Sequence, residues 1–241
     1  MARIWLSLVV AVGLLASGAA AHLFFGGPAE DPLWRKREEF HARAAGLEMS
    51  ARAGDVRAQM ALAELHLEGR SLGGDPRQAA RWYEAAARRG HADAQFALGR
   101  LYESGDGTRQ DYARAAEWYA LAVRAADHAG AQFRLGWLHF HGRGVPHDFF
   151  EASAWFEKAA RGGSAPAQFL LGRMYEDGWS VTRDPVAAYA WYARAAAKPE
   201  EALAADPAFD AKAARDRLAA RLSAEQRTLA ERTLAAGASR R

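Results

Sequence analysis

The sequence predicts an all-α protein: a right-handed α/α solenoid of four helix-turn-helix repeats, closed by capping helices at both ends. Three observations carry that expectation. Ala-Gln pairs at 58–59, 94–95, 131–132 and 167–168 recur at steps of 36, 37 and 36 residues. Trp82, Trp118, Trp155 and Trp191, each followed by Tyr or Phe, keep the same steps. Asp75, Asp111, Asp148 and Asp184 each stand sixteen residues after a glutamine and seven before a tryptophan. A fixed period of this length marks a stacked array, because a single unit cannot bury its apolar face alone.

Composition agrees with a helical globular chain. Of 241 residues, 50% are hydrophobic and 25% charged, which is ordinary for a folded protein. Alanine, the best helix former, dominates the nonpolar positions, and β-branched residues are few after the first dozen. A formal charge of +3 with interspersed signs gives no footprint for nucleic acid. Cysteine is absent; disulfide frameworks, cysteine nucleophiles and cysteine zinc sites are thereby excluded.

Residues 1–25 read as a targeting segment. Arg3 precedes an apolar stretch from Ile4 to Leu15, and Ala19-Ala20-Ala21 supplies a small-residue cleavage motif before His22. The alternative is an uncleaved anchor, since Ile4 to Phe25 is long enough to span a bilayer. Arg35, Lys36 and Arg37 behind it would then favour a cytoplasmic body. Residues 26–33 read as a linker and 34–53 as an N-terminal capping helix.

The four repeats occupy 54–197. The first helix of each runs from the Ala-Gln pair to Gly69, Gly105, Gly142 or Gly178, which suit helix C-termini. The aspartates suit N-caps of the second helices, with Pro76 and Pro185 at the first helical position. The second helices carry the Trp-aromatic pair and stop near Gly90, Gly130 or Gly163. Leu62, Leu98, Leu135 and Leu171 are each followed by a small residue, Ala63, Gly99, Gly136 or Gly172, which lets a neighbouring helix approach closely. Pro199 and Pro207 break the pattern. Residues 198–241 then read as a C-terminal cap with helices over 211–222 and 224–235, the latter opened by a Ser223–Gln226 capping box.

Within this pattern, "AQFALGRLYESGDGTRQDYARAAEWYALA", residues 94–122, resembles the Sel-like (Sel-one-like) repeat, an α/α relative of the tetratricopeptide repeat. The departures are Ala63 where the family favours glycine, and His66 and His139 in the slot of Tyr102 and Tyr175. The resemblance implies a scaffold or adaptor presenting a concave surface to protein partners. Its disulfide-rich secreted branch does not fit a chain without cysteine.

The register also bears on chemistry. His139, His141 and His147 cluster in sequence, but His139 falls in the repeat aromatic slot and His141 on another helical face, so no metal site is expected. No Gly-x-Ser-x-Gly elbow, His-Glu-x-x-His or phosphate-loop motif occurs, and neither catalytic residues nor a cofactor are expected. The repeat tryptophans Trp82, Trp118, Trp155 and Trp191 read as core. On a helical wheel, positions one, five and eight after each glutamine form one stripe. It reads Met60, Glu64, Leu67; Phe96, Arg100, Glu103; Phe133, Trp137, Phe140; and Phe169, Arg173, Glu176. The Arg–Glu pairs, three apart, are usual for an exposed face. If first helices line the concave face, Glu64, Arg100, Trp137 and Arg173 form a ladder, with Phe140 beside it, suited to a partner segment. The opposing reading buries Trp137, because the insertion before repeat three shifts local packing. Trp179 is a further rim candidate. The expected function is a non-catalytic protein-binding scaffold, exported to the cell envelope, with a membrane-anchored cytoplasmic adaptor and an envelope enzyme as alternatives.

Overall fold

In the computed structural model, residues 32–238 are described; the targeting segment and most of the linker lie outside them. The described residues form twelve α-helices and no strand. The described residues divide into two compact units, one up to Asp75 and one from Pro76 onward.

In the first unit, α1 (Pro32–Arg52) packs on α2 (Val56–Glu68), and a 3-10 turn follows at Arg70–Leu72. Asp55 caps α2 through its carboxylate, which accepts from the amides of Arg57 and Ala58. The buried Gln59 donates its side-chain amide to the Ala51 carbonyl at 2.9 Å. That carbonyl belongs to the last turn of α1 and has no partner within its own helix. Phe40 fills the space over Gly69, where an added β-carbon would stand 2.3 Å from its ring.

The second unit runs α3 (Pro76–Ala87), α4 (Ala92–Ser104), α5 (Tyr112–Ala126), α6 (Ala129–His141), α7 (Phe149–Arg161), α8 (Ala165–Asp177) and α9 (Pro185–Ala195). Each helix packs on the next, so this unit is an α/α solenoid in sequence order. Three cap elements follow: α10 (Pro199–Ala205), α11 (Ala211–Ala219) and α12 (Ala224–Ala238). Asp111, Asp148 and Asp184 cap α5, α7 and α9, each accepting from backbone amides of the first turn. Gln95 and Gln168 repeat the Gln59 clamp, donating to the Ala87 and Ala160 carbonyls at 3.1 and 3.0 Å.

In repeats two, three and four the paired helices meet through one small residue and one ring. A β-carbon at Gly99, Gly136 or Gly172 would stand 2.6, 2.8 or 2.7 Å from the ring of Tyr119, Phe156 or Tyr192. The rings occupy the space a side chain would take at these glycines, and that packing offsets the roughly 1 kcal/mol that a helical glycine costs. Here the structure shifts the expected core aromatic by one position. Trp82, Trp118, Trp155 and Trp191 are half-buried, whereas Tyr83, Tyr119, Phe156 and Tyr192 are enclosed, Tyr119 and Tyr192 at 0% exposure. One helical residue is 100° of rotation, enough to carry the tryptophans to the core's margin. There Lys158 and Arg194 stack over Trp155 and Trp191.

Two boundaries also differ from the sequence reading. The helix before repeat three ends at Asp127, which adopts a left-handed conformation at φ 47°, and not at Gly130. Gly130 lies inside α6, where a β-carbon would crowd Phe96 and His128 at 3.1 Å. At the C-terminus, Pro199 starts the short α10 at its first position, where a missing N–H costs nothing. The Ser223–Gln226 capping box forms with both reciprocal bonds, at 2.9 and 3.2 Å.

Because the tyrosines and not the tryptophans hold the paired helices, Tyr119→Ala should cost about 3–5 kcal/mol. Trp118→Ala should cost about half that, in keeping with its partial burial. Urea unfolding of the two variants ranks them, and the reverse order contradicts this account of the core.

The first unit also carries a pH dependence. The Asp75 amide donates to Nδ1 of His66 at 3.3 Å, so the bonded ring is neutral at that nitrogen. Burial lowers the His66 pKa, against the opposing pull of Asp75 and Glu48. A folded pKa below the unfolded one means that the unfolded chain binds more protons, so stability rises with pH across that interval. It is fully present above about pH 6.5, the unfolded histidine value, and declines as pH falls toward the folded pKa. His66→Asn should reduce this slope, leaving the part that other buried histidines contribute, measured as melting temperature between pH 7.5 and 5.

Candidate binding groove

The residues of the expected ladder meet different fates. Glu64 is exposed on α2 and Arg100 on α4. Arg173 bonds Asp177 one turn on, at 3.0 and 3.2 Å, and its guanidinium lies over the Trp179 ring. Trp137 is half-buried within a ring cluster, 6.0 Å from Phe133, 6.2 Å from Phe140 and 4.4 Å from His141. Phe209, from the loop before α11, reaches Trp137 at 6.0 Å and stacks on Phe169 at 4.8 Å. The chain's own C-terminal cap therefore covers part of the stripe, and Trp137 serves largely as its seat. This cover could not be read from the repeat pattern, since Phe209 belongs to no repeat.

The Arg–Glu pairs of the stripe are not exposed pairs either. Glu103 accepts from the Tyr119 hydroxyl of its own repeat and lies 3.4 Å from Arg134 of the next. Glu176 accepts from the Tyr192 hydroxyl at 2.8 Å, with Arg221 of the cap at 3.3 Å and Arg217 at 3.8 Å. Burial pushes both tyrosine pKa values up, with the carboxylates adding to it, so each hydroxyl stays a donor. A buried carboxylate is tolerated here because a hydroxyl and a guanidinium satisfy it.

The third repeat replaces all three members of this arrangement. Counted from the glutamine, the slot of Glu103 and Glu176 holds Phe140, and that of Tyr119 and Tyr192 holds Phe156. The slot of Arg134, in the following repeat, holds Leu170. The exchange is chemically consistent: without a hydroxyl or guanidinium nearby, a carboxylate at this depth would be unpaired.

The loops show a matching departure. Gly107 and Gly144 have positive φ, 72° and 70°, and lie against the N-terminus of the preceding repeat's second helix. A β-carbon at Gly107 would stand 2.1 Å from the Pro76 backbone, and one at Gly144 would stand 2.4 Å from the Tyr112 and Ala113 backbone. The same position in repeat four is Ser180, with φ 56°. A serine cannot make so close a backbone approach, and its register partners are Phe149 and Phe150.

Both departures converge on one groove of about 450 Å³. Phe140, Phe156, Leu170 and Met174 line it, and Phe149, Phe150, Trp179 and Ser180 also border it. Phe149, Phe150 and Trp179 are 51%, 77% and 46% exposed. Among the described residues, no charged side chain lines the groove. Large exposed aromatics gathered at an apolar concavity are the usual mark of a binding site.

The histidines serve this neighbourhood structurally. His139 bonds the Pro146 carbonyl through Nδ1 at 3.2 Å, and His147 meets the edge of Phe149 at 4.5 Å. Burial, with Arg143 and His147 nearby, lowers the His141 pKa. Among the described residues, no three metal-ligating side chains converge.

The Sel1 repeat model matches residues 56–91, 92–127, 129–164 and 165–199. The chain belongs to the Sel1 repeat family. Sel1 repeats are in general protein-interaction scaffolds, and proteins built from them are typically non-catalytic. A Sel1 repeat protein from Oxalobacter formigenes is similar in structure, with 26% identity, a TM-score of 0.55, and coverage of 93% of this chain and 84% of that one. A protective antigen of uropathogenic Escherichia coli matches at 26% identity and a TM-score of 0.49, over 91% of this chain and 52% of that one. A putative Sel1 repeat protein from Klebsiella pneumoniae matches at 27% and 0.47, over 64% and 73%. No curated protein matches in sequence.

Among the Sel1 repeats of this chain, the third is therefore set apart by its rings. Because Trp137 supports Phe209, Trp137→Ala should lower stability by about 2–3 kcal/mol, less than a fully buried tryptophan. It should also speed amide exchange in α10 and α11. A variant that melts like the parent, with unchanged exchange, would show that the cap does not depend on this ring.

Proposed function

We propose that this protein is a non-catalytic interaction scaffold of the bacterial cell envelope, binding a partner protein in the groove between its third and fourth repeats. The observation that carries the proposal is the exposed ring cluster Phe149, Phe150 and Trp179 beside an uncharged groove, in a family of scaffolds. Rings of this kind, desolvated at the centre of a contact, contribute most of the binding energy in protein interfaces. The stripe through Glu64, Arg100, Trp137 and Arg173 is the lesser candidate, since Arg173 is paired within its helix and Trp137 is partly covered.

Export rests on residues 1–25, with cleavage before His22. Among the described residues no helix is long and apolar enough to cross a membrane. Retention of the same segment would give the anchored adaptor, favoured by Arg35, Lys36 and Arg37 directly behind it.

One experiment in a Gram-negative host tests both parts. A photo-crosslinking amino acid is placed at position 150 or at position 100, and the purified chain is sequenced from its N-terminus. The expected result is a discrete protein adduct at position 150, none at 100, and a chain beginning at His22. An adduct only at 100, or none at either, contradicts the groove. A chain retaining Arg3 contradicts export with cleavage.

A further inference from the structure

We propose that the groove takes an extended, uncharged peptide segment bearing two neighbouring large apolar side chains; this rests on the scaffold reading above and names its partner's chemistry.

The first argument is geometric. At this register position in repeats two and three, the protein's own backbone, at Gly107 and Gly144, lies across the start of the preceding second helix. The slot is thus one that polypeptide backbone fits. In repeat four Ser180 is barred from that approach by its β-carbon, and the groove opens between Trp179-Ser180 and Phe149-Phe150. A partner's strand lying there takes the course that a glycine loop takes elsewhere in the same molecule.

Charge is the second argument. The floor has exchanged a carboxylate, a phenol and a guanidinium for Phe140, Phe156 and Leu170, and the nearby cations are engaged. Arg173 bonds Asp177, Arg183 donates to the Glu176 carbonyl at 3.0 Å, and Arg143 lies over the Tyr112 ring. A charged side chain entering the groove would lose its hydration and meet no counter-charge. An uncharged apolar one loses nothing of that kind.

Size and hydrogen bonding separate the remaining occupants. The volume of about 450 Å³ is in the range of a small-ligand pocket, enough for two large side chains. A second copy of the chain would need an interface of roughly 800 Å² on each partner, far more than this groove offers. Trp179 and Ser180, which carry an indole N–H and a hydroxyl, are among the lining residues, and both are donor types that peptide carbonyls can use. A lipid chain has no acceptor along its length to use them.

The test is selection from a random-peptide display library on the purified full chain, followed by titration of the selected sequences as capped synthetic peptides. Two variants restore, respectively, the charged set of repeat two (Glu103, Tyr119 and Arg134) and the loop glycine of repeats two and three (Gly107 and Gly144). One combines Phe140→Glu, Phe156→Tyr and Leu170→Arg; the other is Ser180→Gly. Selected peptides should carry two large apolar residues close together, with no charge between them. Both variants should weaken their binding by about tenfold or more. Selection of acidic or basic peptides, or of none, overturns the proposal. So does unchanged binding in the triple variant when its melting curve matches the parent. Should the triple variant not fold, Ser180→Gly decides alone. Displacement of the peptides by phosphatidylcholine vesicles, or a dimer in sedimentation that the variants abolish, would assign the groove to lipid or to a second copy. A position-150 adduct in cells together with charged selected peptides would leave the scaffold standing and remove only this inference.

Discussion

The close approach of paired helices through one small residue and one ring is the constraint on which the rest of the second unit depends. Gly99 beneath Tyr119, Gly136 beneath Phe156 and Gly172 beneath Tyr192 set how near the helices come. That distance fixes where the ring's far edge points, and so whether a hydroxyl there meets a carboxylate. Glu176 can be buried, and Glu103 half-buried, only because Tyr192 and Tyr119 deliver a donor at the right depth. Phe156 delivers none, and the neighbouring slots turn apolar with it. A packing rule thus becomes a rule about charge, and the groove is its local exception.

The period, the helix pairs, the aspartate caps and the Ser223–Gln226 box were all legible in the sequence, because each is a local signal repeated at fixed spacing. Which aromatic of the Trp-Tyr pair is enclosed was not, since adjacent residues differ only by a helical rotation that packing decides. Glu103 and Glu176 looked like solvent-facing partners of Arg100 and Arg173 for a similar reason. Their true partners, Arg134 and Arg221, lie 31 and 45 residues away. A register comparison of Phe140, Phe156 and Leu170 with the other repeats held the signal for the groove, and it becomes meaningful once those three slots are known to touch. Phe209 left no such trace, because it stands outside the period altogether.

The third repeat concentrates several departures at once. Phe149 and Phe150 open its second helix, where other repeats begin with Pro76-Arg77, Tyr112-Ala113 or Pro185-Val186. The following loop exchanges a glycine for Ser180, which keeps a left-handed conformation that costs a non-glycine residue on the order of 1 kcal/mol. A strained residue, exposed rings and an apolar floor at one point are what a binding site commonly carries and a purely structural joint does not.

The C-terminal cap holds Glu176 with Arg221 much as the third repeat holds Glu103 with Arg134. The cap thus ends the array by imitating its next member, and Glu176 meets the same chemistry whether the array continues or stops. Array length is then decoupled from the way the array is sealed. A unit bearing the Glu–Tyr pair could be duplicated or lost ahead of the cap, and the seal would find the same partner waiting. Such a terminus lets a lineage change the number of its modules without inventing a new ending each time.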